Sequence, residues 1–359
     1  MTNAQEHVVD RKLTELDAYH VARMMCEKGL SANRIAAELY REEYAAPRTK
    51  ARAIMRVKHL LRRALDAGIL TLRRPRTDLA TALRERPGLT EIRFEVVDDS
   101  GFGLDPAEPV YREAARLVAE RIDALMRRQE RVVIANAGGW GMSRLVEYLA
   151  AVSMTYENAG QRLQFVSLNA LSSADRYHLS ANFVAVRMAT IFGGRHLAMV
   201  KSPSVERAYR QALQNIDLLV CGAGSRSAFL TQWLNDGPAR KAAGKNIDLP
   251  KSVVGDICLI PLNAAGEQVS LGRPTAMRIQ DDLRPCPDHA TLKRLAEADR
   301  VLLVAAAPNV DGRVTPPDDL RASSKLPVVK AILNVPLTRW CVLGSSLAEQ
   351  LRTALESDD

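Results

Sequence analysis

Hydrophobic positions recur every three to four residues over 13–66, then switch near Glu91 to short apolar runs separated by amphipathic stretches. Two textures on one chain predict two domains, an all-helical one followed by an α/β one. In the first, Leu13, Leu16, Val21, Met24 and Met25 mark one face of a helix that stops at Gly29. Ser31 is placed to cap a second helix through Leu39, with Ile35, Ala36 and Leu39 turned inward. A third helix is expected to begin near Pro47, a residue that suits a first turn, and to run towards Gly68. Its stripe is Ile54, Val57, Leu60, Leu61 and Leu65. Residues 69–72 read as a short strand before a basic turn.

In the second texture, strands are expected at 92–97, 132–135, 163–168, 196–200, 218–221, 301–306 and 340–343. Helices fall between them, at 111–126, 180–191, 205–213 and 347–355. This alternation predicts parallel βαβ units with both sheet faces covered. Residues 257–269, centred on Asn263-Ala264-Ala265-Gly266, read as a β-hairpin. Residues 235–251 and 308–322 read as loops.

Length changes little in this picture: 359 residues suit two domains, placed at 1–76 and 77–359. A composition of 47% hydrophobic and 26% charged residues excludes bulk disorder. Charge changes it more. Between Arg41 and Arg76 stand eleven basic and three acidic residues, an excess that equals the formal +8 of the whole chain. The rest is neutral on balance, so an anionic partner is expected at the helical head. Five scattered cysteines without CxxC spacing argue against a zinc site or a disulfide framework and suit a reducing cytoplasm. His20, His59, His178, His196 and His289 show no metal-ligand spacing either. Neither a signal peptide nor an apolar run of membrane-spanning length is visible, so a soluble, cytoplasmic protein without a membrane partner is expected.

Three helices ending in a basic one suggest a helix-turn-helix whose cationic side chains meet the phosphates and major groove of double-stranded DNA. The candidates are Arg48, Lys50, Arg52, Arg56, Lys58, His59, Arg62 and Arg63. The competing reading is a solvated helix face. In the α/β part, Gly138-Gly139-Trp140-Gly141-Met142-Ser143 follows a strand and precedes a helix. Its backbone amides are placed to cradle a phosphate, with glycine allowing close approach and Ser143 adding a hydroxyl. An ordinary strand-to-helix turn is the alternative. Asp256 would either accept hydrogen bonds from sugar hydroxyls or bond to its own turn. Asn169 and the 222–225 segment, with Gly224, end strands at the edge where open α/β sheets bind ligands. Trp140 would stack on a ligand or pack against the protein.

Several of these segments, in this order, resemble the SorC family of transcriptional regulators, the DeoR-like sugar-binding group. VARMMCEKGLSANRIAAEL and VKHLLRRALDAGILTL are similar to the family's helical head. GGWGMS, SANFVAVRMATIFGG, IDLLVCGAGS, VVGDICLIPLNAAGEQV and KLPVVKAILNVPLTRWCVLGSSLAEQL are similar to its sugar-binding body. The resemblance implies a helix-turn-helix domain followed by a Rossmann-like, sugar-isomerase-like (NagB-type) parallel-sheet domain for effector binding and oligomerisation. It implies a regulator, such as a repressor, that assembles as a homo-oligomer (dimer or tetramer) and responds to a phosphorylated sugar. No catalysis and no cofactor are implied. The effector site would comprise Gly139, Gly141, Met142, Ser143, Asn169, Gly224, Asp256 and Lys325. Lys325 aligns with a lysine that the family places near its effector, with Lys330 as the alternative if the loop before it shifts the register. The chain departs from the pattern in extra residues between Tyr40 and Arg52, in Ala305–Ala307 where glycines are common, and in Gly344 where an aspartate is common. The rival class is a sugar-phosphate isomerase or lyase with a basic extension, for which Asp256 is the sole candidate base.

Overall fold

The computed structural model describes residues 18, 20–22, 24–25, 30–66, 75–99, 107–152, 156–168, 179–197, 203–226, 249–271, 287–306 and 324–357. The chain divides into two compact units, Met1–Leu72 and Arg73–Asp359.

In the first unit the helical residues between 18 and 25 bury Ala18, Val21, Ala22 and Met24. Helix α1 (Ala32–Leu39) is capped by Ser31, whose side chain accepts from the Arg34 amide. Removing such a cap costs about 1 kcal/mol. Ile35 and Ala36 are fully buried as expected, whereas Leu39 faces out. The third helix does not begin at Pro47. A short helix, α2 (Arg41–Ala45), forms first, with Glu42 and Glu43 in its first turn, where carboxylates suit the helix dipole. Pro47 lies in the turn that follows, held by Thr49 Oγ1 donating to the Glu43 carbonyl at 2.6 Å. Helix α3 (Lys50–Asp66) then supplies Ala53, Val57, Leu60, Leu61 and Ala64 to a core shared with the preceding helices. The strand expected at 69–72, Leu13, Leu16, Gly29 and the Leu65 side chain lie outside the described residues.

The second unit opens with α4 (Thr77–Arg84), a helix not anticipated from the sequence. Pro75 bridges to Val97 and the Arg76 amide donates to the Val96 carbonyl, so these two residues belong to this unit. The sheet runs through β1 (Arg93–Val97), β2 (Val132–Asn136), β3 (Leu163–Ser167), β4 (Arg195–Leu197), β5 (Leu218–Ser225), β8 (Val301–Ala305) and β9 (Trp340–Gly344). Their spatial order is β1-β9-β8-β5-β2-β3-β4, and every neighbouring pair is parallel. Successive side chains of a strand point to opposite faces, so the unbroken burial of Val301–Ala305 means that both faces are covered. Helices α5 (Glu108–Arg128), α6 (Trp140–Val152) and α8 (Ala181–Phe192) pack on one another, α7 (Ala159–Arg162) being a single turn between them. Helix α9 (Pro203–Gln214) packs on β3 and α10 (His289–Glu297) on β8. Helix α11 (Leu326–Asn334) packs on β5 and on α12 (Ser345–Glu356), which in turn contacts α4.

Two details correct the sequence reading. Strand β5 runs on to Ser225 and pairs antiparallel with β6 (Gly255–Ile257), which pairs with β7 (Ile260–Leu262). A tight hairpin not anticipated from the sequence thus turns at Cys258-Leu259, both at positive φ (51° and 67°). Asp256 makes this turn possible without glycine: its Oδ1 accepts from the Leu259 amide. The expected hairpin about Asn263–Gly266 follows, with Leu262 bridging antiparallel to Gln268 and the Val269 amide donating to the Pro261 carbonyl.

Sheet order fixes where a ligand is expected. From β2 the chain moves outward to β3 and β4, then crosses back to β5 on the other side of β2 and moves the opposite way to β8 and β9. The carboxyl ends of β2 and β5 thus flank the topological switch point, the crevice that open α/β sheets use for ligands.

Candidate functional site

At the end of β2 the chain turns sharply into α6. Gly139 sits at φ 105° and its amide donates to the Leu179 carbonyl at 2.7 Å, while Ser143 N closes the first helical turn on the Gly139 carbonyl. The amides of Trp140, Gly141 and Met142 have no acceptor among the described residues, nor has the half-buried Ser143 hydroxyl a partner. Three first-turn amides on a 13-residue helix, beside the Ser143 hydroxyl, form the kind of donor set that can recognise an anion. Met142 is 1% exposed and anchors this turn to the core.

The glycines serve a different end from the one the sequence suggested. A Cβ on Gly138 would stand 2.7 Å from the Leu179 carbonyl oxygen and 2.8 Å from the Ala181 nitrogen; one on Gly141 would stand 2.9 Å from Tyr111 Oη. Both absences of a side chain admit the protein's own neighbours. Gly139 faces open space, and its glycine is required by backbone conformation alone.

The close approach at Gly138 brings a second helix start to the same place. Ser180 caps α8 by accepting from Phe183 N at 3.1 Å. Beneath, Asn136 is fully buried and donates through Nδ2 to the carbonyls of Ala137 and Ala181, and its Oδ1 has no partner among the described residues. Ser167, at the end of β3, donates to Asn182 Oδ1, and Tyr209 donates to the Ser167 carbonyl. Trp140 is 39% exposed, with its ring edge-to-face on Tyr111 and the Arg144 guanidinium 5.6 Å from its centroid. It packs on one side and remains open on the other.

On the β5 side, Gly224 pairs directly with Asp256, and a Cβ on Gly224 would collide with that carboxylate. Asp256 is 7% exposed; burial pushes its carboxyl up to about 7, against the Leu259 amide, which favours the ionised form. Of the two roles open to Asp256, the turn role is the one its hydrogen bond serves. Lys325 immediately precedes α11 and is half-buried, with burial lowering its ammonium to about 8. Lys330, in contrast, donates to the Ala354 carbonyl and ties α11 to α12. Asn169 lies outside the described residues, as do the whole of the loop expected at 308–322 and residues 235–248 of the one expected at 235–251.

One buried carboxylate was not singled out in the sequence. Asp99 follows β1, and its Oδ1 accepts from Ser345 Oγ at 2.8 Å, Ser346 N at 3.0 Å and Ser346 Oγ at 2.7 Å, capping α12. A Cβ on Gly344 would stand 2.9 Å from Asp99 Cγ. The space that an aspartate at 344 would need is filled by a carboxylate from the neighbouring strand. The Asp98-Asp99 pair at the end of an apolar run was the available signal.

At the opposite, amino-terminal edge of β2, β5 and β8 lies a cavity of about 240 Å³ lined in part by Arg121, Gln129, Asp217, Asp299 and Arg300. None of the expected site residues reaches it. Among the described residues, no group of three or more His, Cys, Asp or Glu side chains is arranged to hold a metal ion, and no helix is long and apolar enough to cross a membrane.

In the helical unit Arg48, Lys50, Arg52, Lys58, His59, Arg62 and Arg63 are exposed. Arg56 is not part of that face. Its guanidinium meets Glu43 Oε1 at 2.5 Å and lies 5.7 Å from the Tyr40 ring centroid, so it holds α2 against α3. The residues inserted between Tyr40 and Arg52 supply this partner.

No protein-family model and no curated relative matches the sequence. Solved structures do match its fold. The full-length sorbitol operon regulator SorC from Klebsiella pneumoniae superposes with a TM-score of 0.51 at 18% identity, covering 94% of this chain and 99% of that one. A transcriptional regulator from Streptococcus pneumoniae TIGR4 gives 0.55 at 18% identity over 79% of this chain and 98% of its own. A DeoR family transcriptional regulator from Listeria monocytogenes gives 0.51 at 16% identity over 77% and 98%. The chain has the fold of SorC and DeoR family transcriptional regulators.

Proposed function

We propose that this chain is a DNA-binding transcriptional regulator, with residues 1–72 as its DNA-binding domain and residues 73–359 as a body that binds a phosphorylated sugar. The observation that carries the reading is the turn at the sheet's switch point. There, three first-turn amides of α6 and the Ser143 hydroxyl stand without partners among the described residues. An anion is the ligand class that such donors recognise, and the helix dipole adds to them. The buried Asn136 Oδ1 beneath is an acceptor suited to a hydroxyl. Phosphate and hydroxyl together describe a sugar phosphate. The likeness in fold to known transcriptional regulators, and the basic face of α3, support the regulatory half.

Control follows from linkage. A ligand that binds one conformation or assembly of the body better than another shifts the population by that difference alone. In a dimer or tetramer the shift would alter the spacing of paired heads, and with it the match to half-sites on DNA. Catalysis is not part of the reading: Asp256 spends its Oδ1 on the Leu259 amide.

Thermal unfolding against a panel of sugar phosphates, their parent sugars and inorganic phosphate tests the proposal. A ligand at a hundredfold its Kd adds about 2.7 kcal/mol to apparent stability. A rise with one phosphorylated sugar, absent with the parent sugar, is expected. Flat responses to every phosphate would remove the effector half of the reading.

A further inference from the structure

Met55 is 61% exposed, the most exposed large hydrophobic side chain among the described residues. At about 100° per residue along a helix, it falls near the middle of the arc spanned by Ala51, Arg52, Lys58, His59 and Arg62. All of these are exposed. An apolar side chain at the centre of a cationic helix face needs a partner that is a polyanion at its rim and apolar at one point.

Duplex DNA meets that description. Its phosphates take the cationic rim, and its major groove offers a single apolar group, the 5-methyl of thymine. Met55 also lies in the first half of α3, where a recognition helix meets base edges. The thioether is flexible and polarisable, and well suited to a small methyl target. From this placement we infer that Met55 is a specificity-determining residue that packs on a thymine methyl in the operator. The inference rests on the DNA-binding reading above and adds to it the identity of one contact. Arg56, which sequence reasoning placed on this face, is held by Glu43 and leaves the central position to Met55.

The test begins with selection of duplexes from a random library by the full-length protein. In the selected duplex each thymine is then replaced singly by deoxyuridine, which removes only the methyl. Wild type is expected to lose about fourfold in affinity at one position, the effect of one buried methyl-sized group. Met55→Ala, which alters an exposed side chain, is expected to bind the parent duplex about fourfold more weakly and to be indifferent to deoxyuridine there. If no single replacement weakens wild type, or if Met55→Ala keeps the same penalty, the assignment of Met55 is overturned while DNA binding stands. If no duplex is enriched and random-sequence duplex shows no salt-dependent binding, the regulator reading itself falls, and the Met55 contact with it.

Discussion

The carboxylate of Asp256 lies directly over Gly224: a Cβ at that glycine would stand 2.9 Å from Asp256 Cγ and closer still to its oxygen. Any side chain at 224 therefore displaces a buried acid that also holds the Cys258-Leu259 turn. Gly224→Ala is expected to cost about 1–3 kcal/mol, the usual effect of overpacking, read as a lowered urea midpoint.

Asp256 also gives stability a pH dependence with an unusual sign. Its folded carboxyl is raised from 3.8 to about 7, so between these values the native state binds more protons than the unfolded chain. Its contribution is complete below pH 4, declines as pH rises through the interval, and is fully lost above about 7. Asp256→Asn keeps an acceptor for Leu259 and removes the charge. The variant should gain on wild type between pH 4 and 8, by an amount of the order of 4 kcal/mol. Urea titrations of both proteins across that range measure the difference directly, and parallel curves would refute the assignment.

Gly141 and Tyr111 form a second close pair, with Tyr111 Oη 2.9 Å from where a Cβ at 141 would lie. Gly141→Ala should destabilise by about 1–3 kcal/mol. In the Tyr111→Phe background the penalty should be smaller, because the nearest atom is gone. A double-mutant cycle reads this as a favourable coupling, and strict additivity would mean that α6 shifts as a whole to relieve the contact.

Long, uniformly apolar runs were the most legible part of the sequence. Strands at 132, 163, 218, 301 and 340 began within a residue of expectation because central parallel strands are buried on both faces and show it. What failed was local. Helix α4 is eight residues long, and helix α2 five, too short for a period to stand out. The turn at Cys258-Leu259 was missed because it turns only through a side chain two residues earlier, whereas Asn-Ala-Ala-Gly carries turn chemistry that shows in the sequence. The glycine loop was legible as a strand-to-helix turn, but the burden on Gly138 and Gly141 was not, since it comes from Leu179 and Tyr111, distant in sequence. Asp99 went unnoticed for the same reason: its partners Ser345 and Ser346 are some 250 positions away, at a separation of 246 and 247.

If phosphate is held at the start of α6, Ser143→Ala should weaken a sugar phosphate about tenfold or more, since hydrogen bonds to charged groups contribute roughly 1.5–3 kcal/mol. The parent sugar should lose nothing further. Lys325 gives a separate test. Burial lowers its ammonium to about 8, so an ion pair with an effector phosphate, if Lys325 lies in the site, would be present below that pH and lost above it. Calorimetric affinity should fall between pH 7 and 9 in wild type and stay level in Lys325→Ala. A wild-type profile that is flat over this range would leave Lys325 outside the site.

The ion pair of Arg56 with Glu43 separates stability from binding in the helical unit. Each cation that neutralises a phosphate contributes about 0.9 to the slope of log affinity against log salt. Arg52→Ala and Lys58→Ala should each lower that slope by about one without changing the unfolding midpoint, because both side chains are exposed. Arg56→Ala should do the reverse. It leaves Glu43, whose Oε2 is already buried without a partner, with no cation, and should cost about 1–3 kcal/mol of stability. Once protein that is still folded is compared, the salt slope should be that of wild type. A slope that drops with Arg56→Ala would mean that the guanidinium leaves Glu43 for the phosphates on binding, and that α2 is released when the head engages DNA.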